Sequence, residues 1–242
     1  MGLTHRVAIA QIRPHHLDLA STMETVLATA TEAAAGGAKL IVFGESVLPG
    51  YPAWLDHAGK VANWDHPPTQ SVFARLRENS LYVPGSETQT MSELASELGV
   101  VIAVGGHERI RSGPGYGTLY NVLLLWNEAG ELAIHHRKLV PTHNERLVWG
   151  QGDAAGLHAA DTAMGRVGGL ICWEHWMPLA RQALHDSGED IHIAMWPSVG
   201  DSHQLMSRHY AMEGRCFVIA AGSIMKGSDL PPELRDDTAF EA

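Results

Sequence analysis

The sequence predicts an α/β protein in which strands and helices alternate in layers. Short, predominantly apolar runs at 39–43, 100–105 and 167–171 have the length and composition of buried strands. Between them lie stretches with apolar residues at helical spacing, the first of them closed by Gly36-Gly37. A chain of 242 residues is long enough for one such domain, which would bury roughly 70 to 75 % of its unfolded surface.

Taken in order, 6–11 alternates into a first strand, and 18–35 carries Met23, Val26, Leu27, Ala30 and Ala34 on one helical face. The strand at 39–43 ends at Gly44-Glu45-Ser46. The segment Pro49-Gly50-Tyr51-Pro52 cannot continue regular structure and reads as a loop. The stretch 53–68, which contains Trp54 and Trp64, has no clear periodicity. Helices are expected at 72–80 and 91–98, the second stopped by Gly99, and a strand at 100–105.

Strands at 119–126 and 131–137 are joined through Asn127-Glu128-Ala129-Gly130, the length and chemistry of a hairpin loop. The strand at 167–171 leads through Cys172 toward Pro178, a residue suited to the first turn of a helix. Beyond it the pattern gives a helix at 179–187, a strand at 191–196, a helix at 204–212 and a strand at 217–221. The domain is expected over 1–226, with a polar, acidic and disordered stretch over 227–242.

Composition narrows the function. Seventeen basic and 27 acidic residues give a net charge of −10, which offers no electrostatic footprint for nucleic acid or an anionic membrane. No apolar run reaches the ~18 residues of a membrane span. The opening residues lead into a strand without a signal-peptide core, so a cytoplasmic location is expected. Cys172 and Cys216 are too few for a disulfide framework, and Cys216 falls in an apolar strand where packing explains it. The 15 histidines invite a metal reading. However, the neighbours His15-His16 and His135-His136 point to opposite faces on a strand, and neither H-E-x-x-H nor C-x-x-C occurs. No metal and no cofactor are expected.

Three chemically apt residues stand at strand ends: Glu45, Lys138 and Cys172. In α/β folds ligand chemistry collects at the C-terminal edge of strands. A cysteine at a strand-to-helix elbow is expected to feel helix N–H groups that favour its thiolate, together with a nearby cation or base. A thiolate attacks electrophilic carbon, a carboxylate moves protons and a lysine holds developing charge.

In these segments the sequence resembles the nitrilase superfamily of carbon-nitrogen hydrolases. The matching stretches are Phe43-Gly44-Glu45 with Leu48-Pro49-Gly50-Tyr51-Pro52, His136-Arg137-Lys138-Leu139-Val140-Pro141-Thr142, and Gly169-Leu170-Ile171-Cys172-Trp173-Glu174. The Cys-Trp-Glu wording, with Glu145-Arg146-Leu147-Val148-Trp149-Gly150, is similar to the true nitrilase branch.

The resemblance implies Cys172 as nucleophile, Glu45 as general base and then acid, and Lys138 as electrostatic stabiliser. It implies that Glu145 positions Lys138 and that the Trp173 backbone N–H helps stabilise charge on nitrogen. Tyr51, Trp54 and Trp176 are candidates for the substrate pocket.

The implied fold is a four-layer αββα sandwich, paired into a homodimer or larger homo-oligomer near the elbow helix, with Trp176 and Met177 as apolar anchors. The family sandwich continues past the strand at 217–221 with further strands and a crossing tail, which this sequence does not display. The implied reaction is hydrolysis of an organic nitrile to the acid and ammonia through a thioimidate and a thioester. An amidase or a nitrile or cyanide hydratase using the same residues is the nearest alternative, and a non-catalytic assembly or binding protein is the alternative of another class.

Overall fold

The computed structural model describes residues 4–237. The first half of the chain builds one sheet. Strand β1 (Val7–Ala10) is followed by helix α1 (Leu19–Ala35) and β2 (Leu40–Phe43). A single turn, α2 (Trp54–His57), leads to α3 (Pro67–Glu78), α4 (Ser86–Leu98), β3 (Val101–Arg109), β4 (Leu119–Trp126) and β5 (Leu132–Arg137). The sheet order is β1-β2-β3-β4-β5, with β1 to β3 parallel and the last two pairings antiparallel. As a result β2 and β5 run in the same direction and their C-terminal ends share one edge.

The second half builds the other sheet from β6 (Ala160–Thr162), β7 (Gly165–Ile171), β8 (Ile191–Met195) and β9 (Phe217–Ala221), with α5 (Pro178–Asp186) and α6 (Asp201–Gly214) as crossovers. Strands β7, β8 and β9 are parallel, and β6 adds an antiparallel edge.

Side-chain alternation along buried strands sorts the apolar residues into layers. Ile41, Phe43, Ile102 and Val104 face Met23, Val26 and Ala30 of α1 and Met91 and Ala95 of α4. Their neighbours Leu40, Val42, Val101 and Ala103 face the opposite way, against Val167, Ile171, Ile193 and Met195 of the second sheet. Leu170 on the far face of that sheet meets Ala180, Leu184 and Tyr210. The layers are therefore helix, sheet, sheet, helix, the expected αββα sandwich. At Gly169 a Cβ would lie 2.7 Å from Leu123 Cδ1, so glycine permits a close approach of the two sheets here.

Some boundaries differ from the sequence reading. Strand β3 continues past Gly105-Gly106 because its pairing with β4 runs on to Arg109. Helices α3 and α4 start several residues earlier, and the three-residue edge β6 was not anticipated.

The tail expected to be disordered from 227 is ordered as far as it is described. It forms 3-10 turns at Gly227–Asp229 and Pro232–Asp237. Leu230 and Leu234 are buried with Val72 and Leu76 of α3, while Asp229 pairs with Arg13 and Glu233 with Arg75. Two leucines four apart supply the apolar face that the polar composition concealed. Residues 238–242 of that expectation lie outside the described residues.

Candidate active site

Glu45 stands two residues beyond β2, Lys138 one beyond β5 and Cys172 one beyond β7. The Glu45 N–H donates to the carbonyl of Trp196, just past β8, which brings the ends of the two sheets together. Close packing enforces this. A Cβ at Gly44 would sit 2.7 Å from the backbone carbonyl carbon of Gly222, just past β9.

Glu45 and Lys138 are fully enclosed, and Glu145 nearly so. Lys138 Nζ donates to Glu45 Oε1 at 2.9 Å and to Glu145 Oε2 at 2.7 Å. Asn121 Nδ2 also donates to Glu45 Oε1, at 2.7 Å, and Ser46 Oγ fixes the amide through Asn121 Oδ1. Glu45 Oε2 is buried and has no hydrogen-bond partner among the described residues, so this oxygen is free to take a proton. Burial, opposed by Lys138 and reinforced by Glu145, pushes the Glu45 carboxyl up to about 7. Burial disfavours the ammonium of Lys138, but Glu45, Cys172 and Glu145 outweigh it and raise its pKa.

Cys172 has φ +51°, a left-handed conformation that costs a non-glycine residue ~1–2 kcal/mol. The Trp173 backbone N–H donates toward its sulfur. One sequence expectation is corrected here. The elbow residues Cys172–Trp176 form a 3-10 turn, and α5 begins only at Pro178, so the helical support for a thiolate comes from the Trp173 N–H and does not outweigh burial. Burial and the Glu45 carboxylate push the thiol up, and Lys138 only partly offsets them. The thiol is thus set between a carboxylate that disfavours its ionisation and an ammonium that favours it.

Glu145 sits in the 3-10 turn His143–Leu147 and accepts from the Thr142 N–H at 2.6 Å. Tyr51 Oη donates to its other oxygen at 2.9 Å, which places Tyr51 in the site's hydrogen-bond network. The Trp149 ring lies edge-on to Tyr51 with Lys138 Nζ 5.8 Å from its centroid, and its Nε1 donates to His107 Nδ1.

Trp176 stacks on the half-exposed Trp173 at 4.8 Å and packs on Trp196 beside the elbow. Trp54 packs in the cluster beneath α3 that also takes in Tyr51 and Trp149. There it lines a surface cavity of about 350 Å³ with Val61, Trp64, Phe73 and Leu147.

Sequence reasoning missed Glu174 as a brace. Its buried carboxylate accepts from the Ile171 N–H at 2.7 Å, the Leu139 N–H at 2.7 Å and His136 Nε2 at 3.0 Å. Burial works against its charge, yet these donors hold its pKa below the ordinary carboxylate range. One side chain thereby ties the residue before Cys172 to the residue after Lys138. His135 faces the other way and pairs with Glu108, which also grips Arg137 through two hydrogen bonds. Asn121 was missed as well. Its signal was a polar residue in the otherwise apolar run of β4.

Residues 6–233 match the carbon-nitrogen hydrolase family model, and the chain belongs to that family. It is 37 % identical over 238 residues to Nitrilase 2 of an unknown prokaryotic organism, covering 98 % of this chain and 72 % of that protein. It is 40 % identical over 233 residues to an arylacetone-specific nitrilase of Alcaligenes faecalis, covering 91 % and 62 %. An aliphatic nitrilase of Sinorhizobium fredii is 38 % identical over 232 residues, covering 95 % and 72 %. The chain thus spans between 62 and 72 % of the length of these relatives.

Among solved structures, a carbon-nitrogen hydrolase of Helicobacter pylori superposes with a TM-score of 0.67 at 18 % identity, over 91 % of this chain and 74 % of that one. A Nesterenkonia amidase that carries acrylamide added at its active-site cysteine superposes at 0.64 with 16 % identity, over 91 % and 79 %. At these identities the likeness is one of fold.

Proposed function

We propose that the protein is a nitrilase that converts an organic nitrile to the carboxylic acid and ammonia, with Cys172 as nucleophile, Glu45 as general base then acid, and Lys138 as charge stabiliser. The observation that carries this reading is the enclosed Glu45–Lys138–Glu145 ion cluster beside the Cys172 thiol. The nitrilase names of the relatives supply the substrate class.

Glu45 takes the thiol proton as sulfur adds to the nitrile carbon, and the nitrogen gains a proton to give a thioimidate. Lys138 and the Trp173 N–H stabilise charge on that nitrogen. Water then adds, the carbon-nitrogen bond breaks with loss of ammonia, and a thioester remains. A second water cleaves the carbon-sulfur bond, releasing the acid and restoring the thiol. Loss of sulfur from the first tetrahedral adduct would release an amide instead. Glu145 holds Lys138 in place, and Tyr51 orients Glu145.

The α5–α6 face exposes Leu179 at 85 %, Leu205 at 71 % and Met212 at 82 %, and this apolar surface supports homo-oligomerisation through it. Two unpaired cysteines suit a reducing, cytoplasmic setting.

The test is ammonia release from aliphatic, aromatic and arylaliphatic nitriles and from their amides, with elution volume recorded alongside. Cys172→Ala is expected to abolish turnover, and Cys216→Ala to keep most of it. Ammonia from amides alone would make the protein an amidase, and amide product without ammonia a hydratase. No product of either kind from well-folded protein would leave only a binding or assembly role. Elution at the monomer mass would remove the oligomer from the reading.

A further inference from the structure

Behind the elbow, a second run of titratable side chains takes no part in the chemistry above. His175 Nδ1 lies 2.7 Å from the carbonyl oxygen of Cys172, and His175 Nε2 lies 3.0 Å from His192 Nε2. His192 Nδ1 lies 2.9 Å from Glu189 Oε2, and Tyr210 Oη donates to Glu189 Oε1. His175, His192 and Tyr210 are completely buried, and Glu189 is nearly so. The His192 ring stacks on Tyr210 at 3.7 Å, and the His175 ring lies 4.4 Å from Trp196, so neither imidazole has room to turn.

Counting protons along this chain gives a definite answer. A carbonyl oxygen only accepts, so His175 must carry its proton on Nδ1. If His175 is neutral, its Nε2 is a lone pair and His192 must donate from its own Nε2. A neutral His192 then offers a lone pair at Nδ1, and Glu189 must supply the third proton as a carboxylic acid. The other arrangement that fills all three contacts ionises Glu189 and puts a positive charge on one histidine. Three contacts need three protons, one more than two neutral imidazoles and a carboxylate possess.

We propose that His175, His192 and Glu189 hold one shared proton that fixes the carbonyl of Cys172, making Glu189 a positioning residue for the strained elbow. The link to catalysis rests on the reading of Cys172 as nucleophile, whereas the shared proton does not. Burial places this proton on the acid. It lowers His175 to about 3, with His192 adding to the effect, and holds His192 well below its ordinary value. Glu189 is pushed up to about 7 by burial, against the pull of Tyr210 and His185.

The groups around the chain are few. His185 Nδ1 is 3.5 Å from Glu189 Oε1, and Cys216 lies near the same carboxyl. Arg181 donates to the His175 carbonyl oxygen and pairs with Glu213, which also meets His185, while Glu174 faces both buried histidines. When Glu189 gives its proton to solvent, one contact is left with lone pairs facing each other, and the tether on Cys172 loosens.

Glu189→Gln tests this, because an amide N–H permanently supplies the third proton while the amide oxygen still accepts from Tyr210. Glu189 has a raised folded-state pKa, so its stabilisation is complete below the unfolded value and is lost as pH rises through about 7. The melting temperature of Glu189→Gln minus that of the unaltered protein should therefore grow by at least about 3 °C between pH 5.5 and 8.5. The ratio of their kcat values should grow over the same range.

Tyr210→Phe removes a donor that favours the ionised acid, so the decline in melting temperature should move to higher pH. It also keeps the test open if the glutamine variant folds poorly. A melting difference that is constant with pH, together with an unmoved decline in Tyr210→Phe, would overturn the shared proton. A growing melting difference with a constant kcat ratio would overturn only its link to Cys172.

Discussion

At the scale of single residues, the site is a problem of proton placement. In the proposed reaction Cys172 gives up its proton as it attacks, and the Glu45 carboxyl, pushed up to about 7, is matched to accept it near neutrality. The value of kcat/KM is therefore expected to rise with pH through about 7 as Glu45 ionises. Glu45→Gln should lower the rate by ~10²–10⁴ and remove that rise. A pH-rate profile of the two proteins checks both, and an unchanged profile in the variant would exclude Glu45 as the base. Stability should run the other way. Glu45 has a folded-state pKa above its unfolded value, so its contribution is present in acid and is lost as pH rises through about 7. The same burial that suits Glu45 to the base's part in the proposed reaction makes its ionised form costly to the fold.

At the scale of elements, three strand ends are held in register by side chains that never meet substrate in the proposed reaction. Glu174 is the most constrained of them, with three donors on one carboxylate joining the β7 elbow to the end of β5. Glu174→Gln exchanges one acceptor oxygen for an N–H₂ group that faces donors. The loss expected is about 2–4 kcal/mol in a denaturant melt. It should come with a fall in kcat larger than any change in KM, because Lys138 and Cys172 shift relative to each other. Full retention of kcat would show that the brace serves folding alone.

This scale also separates what the sequence could reveal from what it could not. Glu45 and Cys172 stand out in the sequence because each follows an apolar strand, Lys138 because it follows the second strand of a hairpin, and Glu145 through the motif around it. The placing of Trp54 was not legible because an aromatic on a loop without periodicity carries no direction, and its ring lies in the cluster under α3 together with Trp149. Glu174, His107 and Trp149 act across element boundaries. Their partners lie up to 57 residues away and depend on packing that no local pattern encodes. The tail at 227–237 misled through composition, since Leu230 and Leu234 are anchors hidden among polar neighbours.

At the scale of the whole molecule, the chain completes one sheet before it starts the other. All of β1 to β5 precede residue 138, and β6 to β9 begin at 160. Glu45, Lys138 and Glu145 thus belong to one half of the polypeptide and Cys172 to the other, with exposed residues such as Ala154 and Ala155 between them. Turnover therefore reports on the embrace of the two halves. Cutting the gene at that junction and expressing both pieces together should yield activity only where they find each other, while either piece alone stays silent. Activity in one piece by itself would contradict the shared site. A self-assembling pair of this kind would make the hydrolase a sensor of proximity, reporting the meeting of whatever two proteins its halves were fused to.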